Sequence, residues 1–347
     1  MNILKVGIAG YGIVGKKRHF FIDENINAKV VAICDQNFKQ NSISANLVKS
    51  FVNYQDLLNE ELDILFVCLP NFMAAEVTIK GLEKDMHVFC EKPPGKDVQD
   101  IENVIAMELK KPKLKLKYGF NHRYHNSVQK ALNIIKKKEL GEVINLRGVY
   151  GKSRIIPFSG GWRANRELSG GGILLDQGIH MVDLMRLFCG DFVEIKSFVS
   201  NHYWKHDVED NAYAIMKDEK GRVAMLNSTA TQWQHRFNLE IALTDGYIEL
   251  HGILSGSKSY GEEKIIFGKR DEDSNNGQME SKEIKFLADN SWKNEIDEFI
   301  EAVKTDSPIV FGTSKDALET MKIVYGIYFN DPIWQKKYNI KNPNINN

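Results

Sequence analysis

The chain has 347 residues, more than one hydrophobic core usually holds, so we expect two domains. Lysine plus arginine and aspartate plus glutamate number 46 each, and this balance argues against a nucleic-acid or anionic-membrane partner. Apolar residues make up 43% of the chain, but their longest runs are too short to span a bilayer. We therefore predict a globular protein without a membrane or nucleic-acid partner.

The N-terminus enters a strand-like segment directly, without the charged, apolar and small-residue series of a signal peptide. The four cysteines are far apart and form no Cys-x-x-Cys pair. This pattern fits a reducing compartment and indicates no metal site. A cytoplasmic protein is predicted.

The first chemical motif is glycine-rich and follows a β-rich run over residues 4–9. It reads Gly10-Tyr11-Gly12-Ile13-Val14-Gly15 and leads into a predicted helix. A second strand, residues 29–34, ends at Asp35, which is about the twenty-residue spacing that a dinucleotide-binding fold requires. The glycines would allow the turn and a close approach of the backbone to a pyrophosphate. The motif and its context predict a dinucleotide site.

Asp35 also indicates which dinucleotide binds. A carboxylate can accept hydrogen bonds from a ribose diol and would repel a 2′-phosphate, and the next two residues include no arginine. NAD is therefore favoured over NADP. Lys16, Lys17 and Arg18 could assist a phosphate, but we favour a solvent-exposed first turn of the helix for all three.

The alternation of strands and helices continues beyond this motif. A buried strand over residues 63–69 ends at Asn71, a helix over residues 74–84 follows, and the strand at 87–90 ends at Lys92. In doubly wound sheets, ligands bind beyond the carboxyl ends of the strands. Gly10, Asp35, Asn71 and Lys92 are therefore predicted to share one edge.

Residues 170–188 form an apolar helix that three glycines precede. Asp176, His180 and Asp183 interrupt it at i, i+4 and i+7, which predicts a polar stripe on one face. The stripe is either the solvent side of an amphipathic helix or an active-site face. In the second case, Asp176 would orient His180 as a general base.

The second half of the chain is rich in strands. Residues 117–121 form the last strand of the first domain, and residues 122–125 lie at the crossing between domains. A new sheet begins at 143–150 and continues over 193–199, 211–217, 223–231, 237–243 and 247–251, with hairpin turns at 218–221 and 244–246. Residues 271–282 are predicted to be a mobile hairpin tip. Helices are predicted over 292–303 and from a capping box at Thr313 to about residue 329.

Four motifs in this order make the chain similar to the glucose–fructose oxidoreductase / inositol dehydrogenase / MocA superfamily. They are the glycine motif at 10–15, Glu91-Lys92-Pro93, Gly119-Phe120-Asn121-His122-Arg123 and residues 170–183. The resemblance covers most of the chain. It implies a Rossmann doubly wound parallel sheet followed by an α+β domain with a large, mostly antiparallel open sheet. The implied divisions are an NAD-binding domain at 1–121, a substrate and oligomerisation domain at 122–335 and a polar tail at 336–347.

The resemblance also implies residue roles. Lys92 would be the active-site lysine, and Asp176 and His180 its partners from the second domain. The cofactor-binding candidates are Gly10, Tyr11, Gly12, Ile13, Val14, Gly15, Asp35, Leu69, Pro70, Asn71, Glu91, Lys92 and Asn121. The substrate-binding candidates are Arg123, Tyr124, Tyr150, Trp162, Arg163, Asp176 and His180. Many members carry a histidine where this chain has Ala74, which could alter substrate or nicotinamide contacts.

These expectations combine into an NAD-dependent dehydrogenase acting on a secondary hydroxyl of a sugar-like ring. A nucleotide-linked or amino sugar of surface polysaccharide synthesis is the first substrate class, and a free aldose or cyclitol is the second. A homodimer or homotetramer through the open sheet is implied. The rival from another class is a non-catalytic NAD-binding sensor, and the combination of Lys92, Asp176 and His180 argues against it. A metal enzyme using Asp176 and His180 would need a third ligand.

Overall fold

The protein is described here by a computed structural model, which covers residues 3–155, 160–255, 260–270 and 279–344. Its helices, in chain order, are α1 (Ile13–Asp23), α2 (Tyr54–Leu57), α3 (Asn71–Glu83), α4 (Val98–Glu108), α5 (Asn126–Lys136), α6 (Arg166–Ser169), α7 (Ile179–Cys189), α8 (Ser291–Thr305), α9 (Ser314–Phe329) and α10 (Pro332–Tyr338). Short 3₁₀ turns lie at Asn121–Tyr124 and Trp162–Ala164, and a π-helical turn at Leu174–Gly178.

The strands are β1 (Leu4–Ala9), β2 (Ala28–Cys34), β3 (Ser42–Ile43), β4 (Lys49–Phe51), β5 (Ile64–Val67), β6 (His87–Cys90), β7 (Leu116–Tyr118), β8 (Val143–Ser153), β9 (Phe192–Ser200), β10 (Asn211–Asp218), β11 (Val223–Gln232), β12 (Arg236–Leu243), β13 (Gly246–His251), β14 (Glu263–Arg270) and β15 (Met279–Phe286). None of the helices in the described part of the chain combines the length and apolar character needed to cross a membrane.

The chain divides into two compact units. The first contains residues 1–121, 168–170 and 292–318, and the second contains residues 122–167, 171–291 and 319–347. Residues 292–318, which the sequence placed in the second domain, therefore pack with the first unit.

The first unit is built on a seven-stranded sheet in the order β3-β4-β2-β1-β5-β6-β7. All neighbouring strands are parallel except β3 and β4. The strand order reverses between β1 and β5, and this switch point is where doubly wound sheets bind ligands. β5 is buried along its whole length, as a parallel strand covered on both faces should be.

Helix α8 contributes to the core of the first unit. Its apolar residues Ile296, Phe299 and Ile300 are buried, and the ring of Phe299 packs edge-on against Phe66 and Phe89. Helical spacing predicted this helix, but it did not predict which sheet the helix covers. The capping box that opens α9 is confirmed, because the Asp316 amide donates to Thr313 Oγ1 at 3.0 Å and the Thr313 amide to an Asp316 carboxylate oxygen at 3.1 Å.

The second unit is built on an eight-stranded sheet in the order β15-β14-β13-β12-β8-β11-β10-β9. Only β8 and β11 pair in parallel, and all other neighbours are antiparallel. Strand β8 alternates between the two faces, with Leu146, Gly148 and Tyr150 buried. The predicted fold class, a Rossmann sheet plus an α+β unit with a large, mostly antiparallel sheet, is confirmed.

Two local predictions differ from the structure. Residues 279–286 form strand β15 and pair with β14, although a turn-rich tip was predicted for 271–282. Residues 271–278 of that tip lie outside the described residues. Helix α10 begins after Asp331, which caps it by accepting from the amides of Ile333 and Trp334, and it extends to Tyr338, into the predicted polar tail.

Candidate functional site

The glycine motif forms a cradle at the carboxyl end of β1. Gly10 has a φ of +94°, and a Cβ there would lie 2.3 Å from the Cys68 carbonyl oxygen. A Cβ at Gly15 would lie 2.0 Å from the Gly10 carbonyl oxygen, whereas one at Gly12 would meet nothing within 4 Å. Gly10 and Gly15 are therefore required for packing, whereas Gly12 leaves open space beside the first turn of α1. That arrangement fits a pyrophosphate at a helix N-terminus.

Asp35 lies directly after β2, beside the glycine turn. One of its carboxylate oxygens accepts the Tyr11 amide at 3.1 Å, and the other accepts the amide and side chain of Asn37 at 2.9 and 2.8 Å. The side chain is half-buried. Its position relative to the cradle fits the acid that binds a ribose diol in this fold.

Arg18 corrects one prediction, because its side chain is buried and is not part of a solvated first turn. Its Nε donates to Glu91 Oε1 at 2.6 Å, and its Nη2 lies 2.7 Å from Glu295 Oε2. Lys16 is exposed as predicted, and the Lys17 ammonium lies 4.1 Å from the Trp292 ring centroid. Arg18 is a buried link between α1, α8 and the end of β6.

The remaining cofactor candidates lie at the carboxyl ends of β5, β6 and β7. Leu69 and Pro70 precede α3, and the side-chain Nδ2 of Asn71 donates to the Ser169 carbonyl at 2.7 Å. Glu91 and Lys92 follow β6, where Glu91 is buried and Lys92 half-buried. Asn121, after β7, is also buried. These positions share the strand edge that the sequence predicted.

In the second unit, the predicted helix over residues 170–188 is interrupted near its start. Residues Leu174–Gly178 form a π-helical turn, and α7 begins at Ile179. The amides of Gly172 and Leu174 donate to the buried Glu209 carboxylate at 2.8 and 3.0 Å, which fixes this entry. The extra residue of a π turn changes the phase of the side chains around it, and such turns are frequent at functional sites.

The π turn separates the three polar residues of the predicted stripe. Asp176 is partly exposed, and its carboxylate lies 3.9 Å from Arg163 Nε. His180 is buried, and Asp183 is fully buried in α7. The solvent-side alternative for the whole stripe is therefore wrong.

Arg123 and Asp183 form a buried pair. Arg123 donates from Nε and Nη2 to the two carboxylate oxygens at 2.7 and 2.6 Å. A bidentate pair of this kind holds the guanidinium in one geometry. The substrate-binding role of Arg123 stays a prediction, and this pairing favours a structural role instead.

His180 is stacked on a second imidazole. Its ring lies 3.7 Å from that of His122, with an interplanar angle of 9°. His122 Nε2 lies 3.1 Å from the Tyr150 hydroxyl. Burial raises the pKa of the Tyr150 hydroxyl well above its ordinary value, and the negative charge of Asp176 acts in the same direction. Tyr150 is therefore a neutral hydrogen-bonding group.

The other substrate candidates lie in the same unit. The Arg163 guanidinium carbon stacks 4.2 Å from the Trp162 ring centroid, next to Asp176. Tyr124 is buried in the 3₁₀ turn that follows β7. The structure thus brings Trp162, Arg163 and Asp176 together, and separately groups His180 with Tyr150.

Sequence reasoning missed two residues beside Tyr150. Tyr260 packs edge-on against Tyr150 at 5.2 Å and donates its hydroxyl to Gln177 at 2.9 Å. The ring of His235 lies 4.6 Å from that of Tyr260. Neither position belongs to a motif, and only tertiary contact reveals them. Within the described ranges, no three His, Cys, Asp or Glu side chains are grouped so that they could hold a metal ion.

Two family profiles match this chain. One, described as the oxidoreductase family with an NAD-binding Rossmann fold, matches residues 4–120. The other, described as the GFO/IDH/MocA C-terminal domain, matches residues 128–249. The chain belongs to the GFO/IDH/MocA family of NAD(P)-dependent oxidoreductases, and its first unit is an NAD-binding Rossmann domain.

Individual relatives agree with this assignment. D-glucoside 3-dehydrogenase of Escherichia coli (strain K12) is 28% identical over 65% of this chain and 70% of its own length. Glucose-6-phosphate 3-dehydrogenase of Bacillus subtilis (strain 168) is 30% identical, and the match spans 54% of this chain and only 55% of that protein. The structure of levoglucosan dehydrogenase in complex with NADH has a TM-score of 0.82 at 18% identity, over 96% of this chain and 98% of the other.

Proposed function

We propose that the protein is an NAD-dependent oxidoreductase that moves a hydride between the nicotinamide and a secondary hydroxyl or keto group of a sugar ring. The observation that carries the proposal is that one chain contains both a candidate cofactor site and a candidate proton acceptor. A glycine cradle with Asp35 beside it suits the cofactor, and the buried, stacked His180 suits a proton acceptor. NAD, when bound, supplies the hydride acceptor.

Within this proposal, His180 takes the hydroxyl proton during oxidation, and Asp176 assists it. Lys92 donates a hydrogen bond to the same oxygen and stabilises the negative charge that develops there. Either Lys92 or His180 could carry the proton itself. Ala74 replaces the histidine of many family members but leaves this set of three residues intact.

The activities of two relatives suggest the position on the ring that reacts. One is a glucoside 3-dehydrogenase and the other a glucose-6-phosphate 3-dehydrogenase, so we propose carbon 3 of a hexose-type ring. A nucleotide-linked or amino sugar of surface polysaccharide synthesis is the first substrate class. A free aldose or cyclitol is the alternative. A cytoplasmic location stays a prediction.

The test is the nicotinamide absorbance of the protein mixed with NAD and single sugars. The panel contains free hexoses, their methyl glycosides, hexose 6-phosphates, nucleotide-linked hexoses and inositols. Lys92→Ala should lower turnover by about a hundredfold or more, as loss of a charge-stabilising group does, while NAD affinity stays close to that of the wild type. A Lys92→Ala protein with full turnover would contradict the role of Lys92. Silence with every sugar, while NAD is bound, would favour the sensor instead.

A homo-oligomer through the large sheet is part of the proposal. Tyr213, Ile215 and Met225 share one face of this sheet and expose between 43% and 54% of their surface. A row of exposed apolar side chains of this kind is typical of an interface. Light scattering should therefore give a mass at least twice that of one chain, and the mass of a single chain would contradict the interface.

A further inference from the structure

A row of rings leads from His180 to the surface of the second unit. His180 stacks on His122, His122 contacts the Tyr150 hydroxyl, Tyr150 packs on Tyr260, and Tyr260 packs on His235. We call these five residues the ring row. Its first four members are nearly buried, with exposures of 3% for His180 and 9% for Tyr260, whereas His235 is partly exposed. The row therefore ends at solvent.

Two positively charged residues, Lys152 and Arg154, lie on and directly after strand β8, which also carries Tyr150 of the ring row. Side chains alternate between the faces of a strand, so Lys152 leaves β8 on the same face as Tyr150. Arg154 follows directly after the end of the strand. Lys152 is close enough to lower the pKa of His235, although burial of His235 is the larger cause. Positive charge therefore lies beside the outer end of the row.

Two large aromatic side chains lie beside Arg154. Its guanidinium carbon is 3.8 Å from the Trp233 ring centroid and 5.5 Å from that of Tyr203. Trp233 is 67% exposed and Tyr203 48% exposed. We call Lys152, Arg154, Tyr203 and Trp233 the outer cluster. It is unusual for its combination of exposed aromatic surface and two positive charges.

The backbone beneath the outer cluster is fixed by hydrogen bonds. Ser153 Oγ donates to the Trp233 carbonyl at 2.8 Å, and the Arg154 amide donates to the Gln232 carbonyl at 2.8 Å. The Tyr203 amide donates to the buried Asp210 carboxylate at 2.8 Å. The neighbouring Trp204 Nε1 donates to the Ala230 carbonyl at 2.9 Å, so these contacts hold three separate segments in one place. A ligand would therefore meet a largely preformed surface, which reduces the entropy lost on binding.

The chemistry of the outer cluster indicates what it would bind. Guanidinium and ammonium groups are the usual protein partners of phosphate, and an exposed indole or phenol ring offers a stacking surface for a planar base. A hexose phosphate would use the cations but not the rings, and a second sugar would not need two cations. A nucleoside diphosphate uses both. In a nucleotide-linked sugar the diphosphate is a diester with two negative charges, which match the two positive charges of the cluster.

We propose that the outer cluster binds the nucleoside diphosphate part of a nucleotide-linked sugar, with the reacting ring held further along the ring row toward His180. The inference rests on the proposed function, because it assigns one end of the same substrate. It also specifies that the substrate of the proposed reaction is a nucleotide-linked sugar and not a free hexose.

Direct binding tests the inference without requiring turnover. Calorimetric titration with UDP and with dTDP should show binding to the wild-type protein that weakens as salt is added. Arg154→Gln and Trp233→Ala should each weaken it by about tenfold or more, as expected for loss of a charge-assisted bond or a stacked ring. The control is Lys137→Gln, which removes an exposed lysine at the end of α5 that lies 4.0 Å from Glu139 and should bind like the wild type.

Kinetics provide a second readout. The ratio of kcat/KM for a nucleotide-linked hexose to kcat/KM for the matching methyl glycoside should fall in Arg154→Gln and stay unchanged in Lys137→Gln. Unchanged UDP and dTDP affinities in both cluster variants would overturn the inference. Binding of hexose 6-phosphate but not of UDP or dTDP would overturn the nucleoside part of it. A change in oligomeric mass in Trp233→Ala without loss of UDP binding would instead assign the cluster to an interface.

These outcomes separate this inference from the proposed function. Turnover of free sugars without UDP or dTDP binding would leave the oxidoreductase in place and remove the outer-cluster site. Binding of UDP that depends on Arg154, without turnover of any sugar, would support the site and contradict the oxidoreductase.

Discussion

Arg18 Nε donates to Glu91 Oε1 at 2.6 Å, and this bond ties the helix after the glycine cradle to the strand end that carries Lys92. The Arg18 side chain has no exposed surface, and its second partner is the fully buried Glu295 of α8. The guanidinium also stacks on Phe89 and Trp292, with its carbon 4.4 and 4.3 Å from the ring centroids. One side chain thus joins three elements of the first unit.

Removal of Arg18 should destabilise the first unit strongly. Arg18→Met would leave the buried Glu91 carboxylate without its cation, and breaking such a pair costs about 3–5 kcal/mol. Urea denaturation should show this loss in the free energy of unfolding. Lys16→Met is the matched control, because Lys16 is exposed on the same helix and should change stability by about 0.5 kcal/mol or less. Equal stability of the two variants would contradict the buried link.

Glu295 should make stability depend on pH. Burial raises its pKa from 4.5 to about 7, although the charge of Arg18 acts in the opposite direction. Between these values the folded protein holds a proton that the unfolded chain releases, so this contribution to stability falls as pH rises toward about 7 and is then constant.

The measurement compares the wild type with Glu295→Gln, which cannot titrate. The unfolding free energy of each protein is measured from pH 5 to about 8. Relative to the wild type, the variant should become more stable as pH rises to neutral. A difference independent of pH would show that Glu295 stays ionised in the folded protein.

Asp35 should set the cofactor preference. Replacing it by serine and Gln36 by arginine removes the charge that repels a 2′-phosphate and adds a cation that can pair with it. We expect the affinity ratio of NADPH to NADH, measured by nicotinamide fluorescence, to shift toward NADPH. The control is Glu24→Ser, which removes an exposed acid elsewhere in the first unit and should leave the NADPH to NADH affinity ratio unchanged. No shift in the double variant would show that the ribose contact lies elsewhere.

Substitutions at two of the cradle glycines should have different effects, one on cofactor binding and the other on stability. Gly12→Ala places a methyl group in open space at a φ of −75°, so its melting temperature should match the wild type while NAD binding weakens by about tenfold or more. Gly15→Ala brings a methyl group within 2.0 Å of the Gly10 carbonyl oxygen and should lower the melting temperature itself. Calorimetry and thermal denaturation distinguish the two effects. Equal NAD affinity in Gly12→Ala would place the pyrophosphate elsewhere.

Much of the first unit could be predicted from local pattern. The glycine motif, the acid after β2 and the polar residues after β5 and β6 each follow a short β-rich run, and strand ends of a parallel sheet share one edge. The prediction that Arg18 faces solvent also relied on local pattern, and it was wrong. A basic first turn normally faces solvent, and nothing near Arg18 in the sequence indicates that Glu91 and Glu295 will bury it.

In the second unit, the sequence by itself determined that a glycine-rich entry leads into an apolar helix carrying Asp176, His180 and Asp183. Periodicity reports only which residues share a face of a regular helix. Tertiary structure decided the rest: the π turn, the buried partner of Asp183, and the stacking of His180 on His122. The reason is physical, because sequence pattern reflects whether a side chain is buried, whereas its partner is set by how distant segments pack.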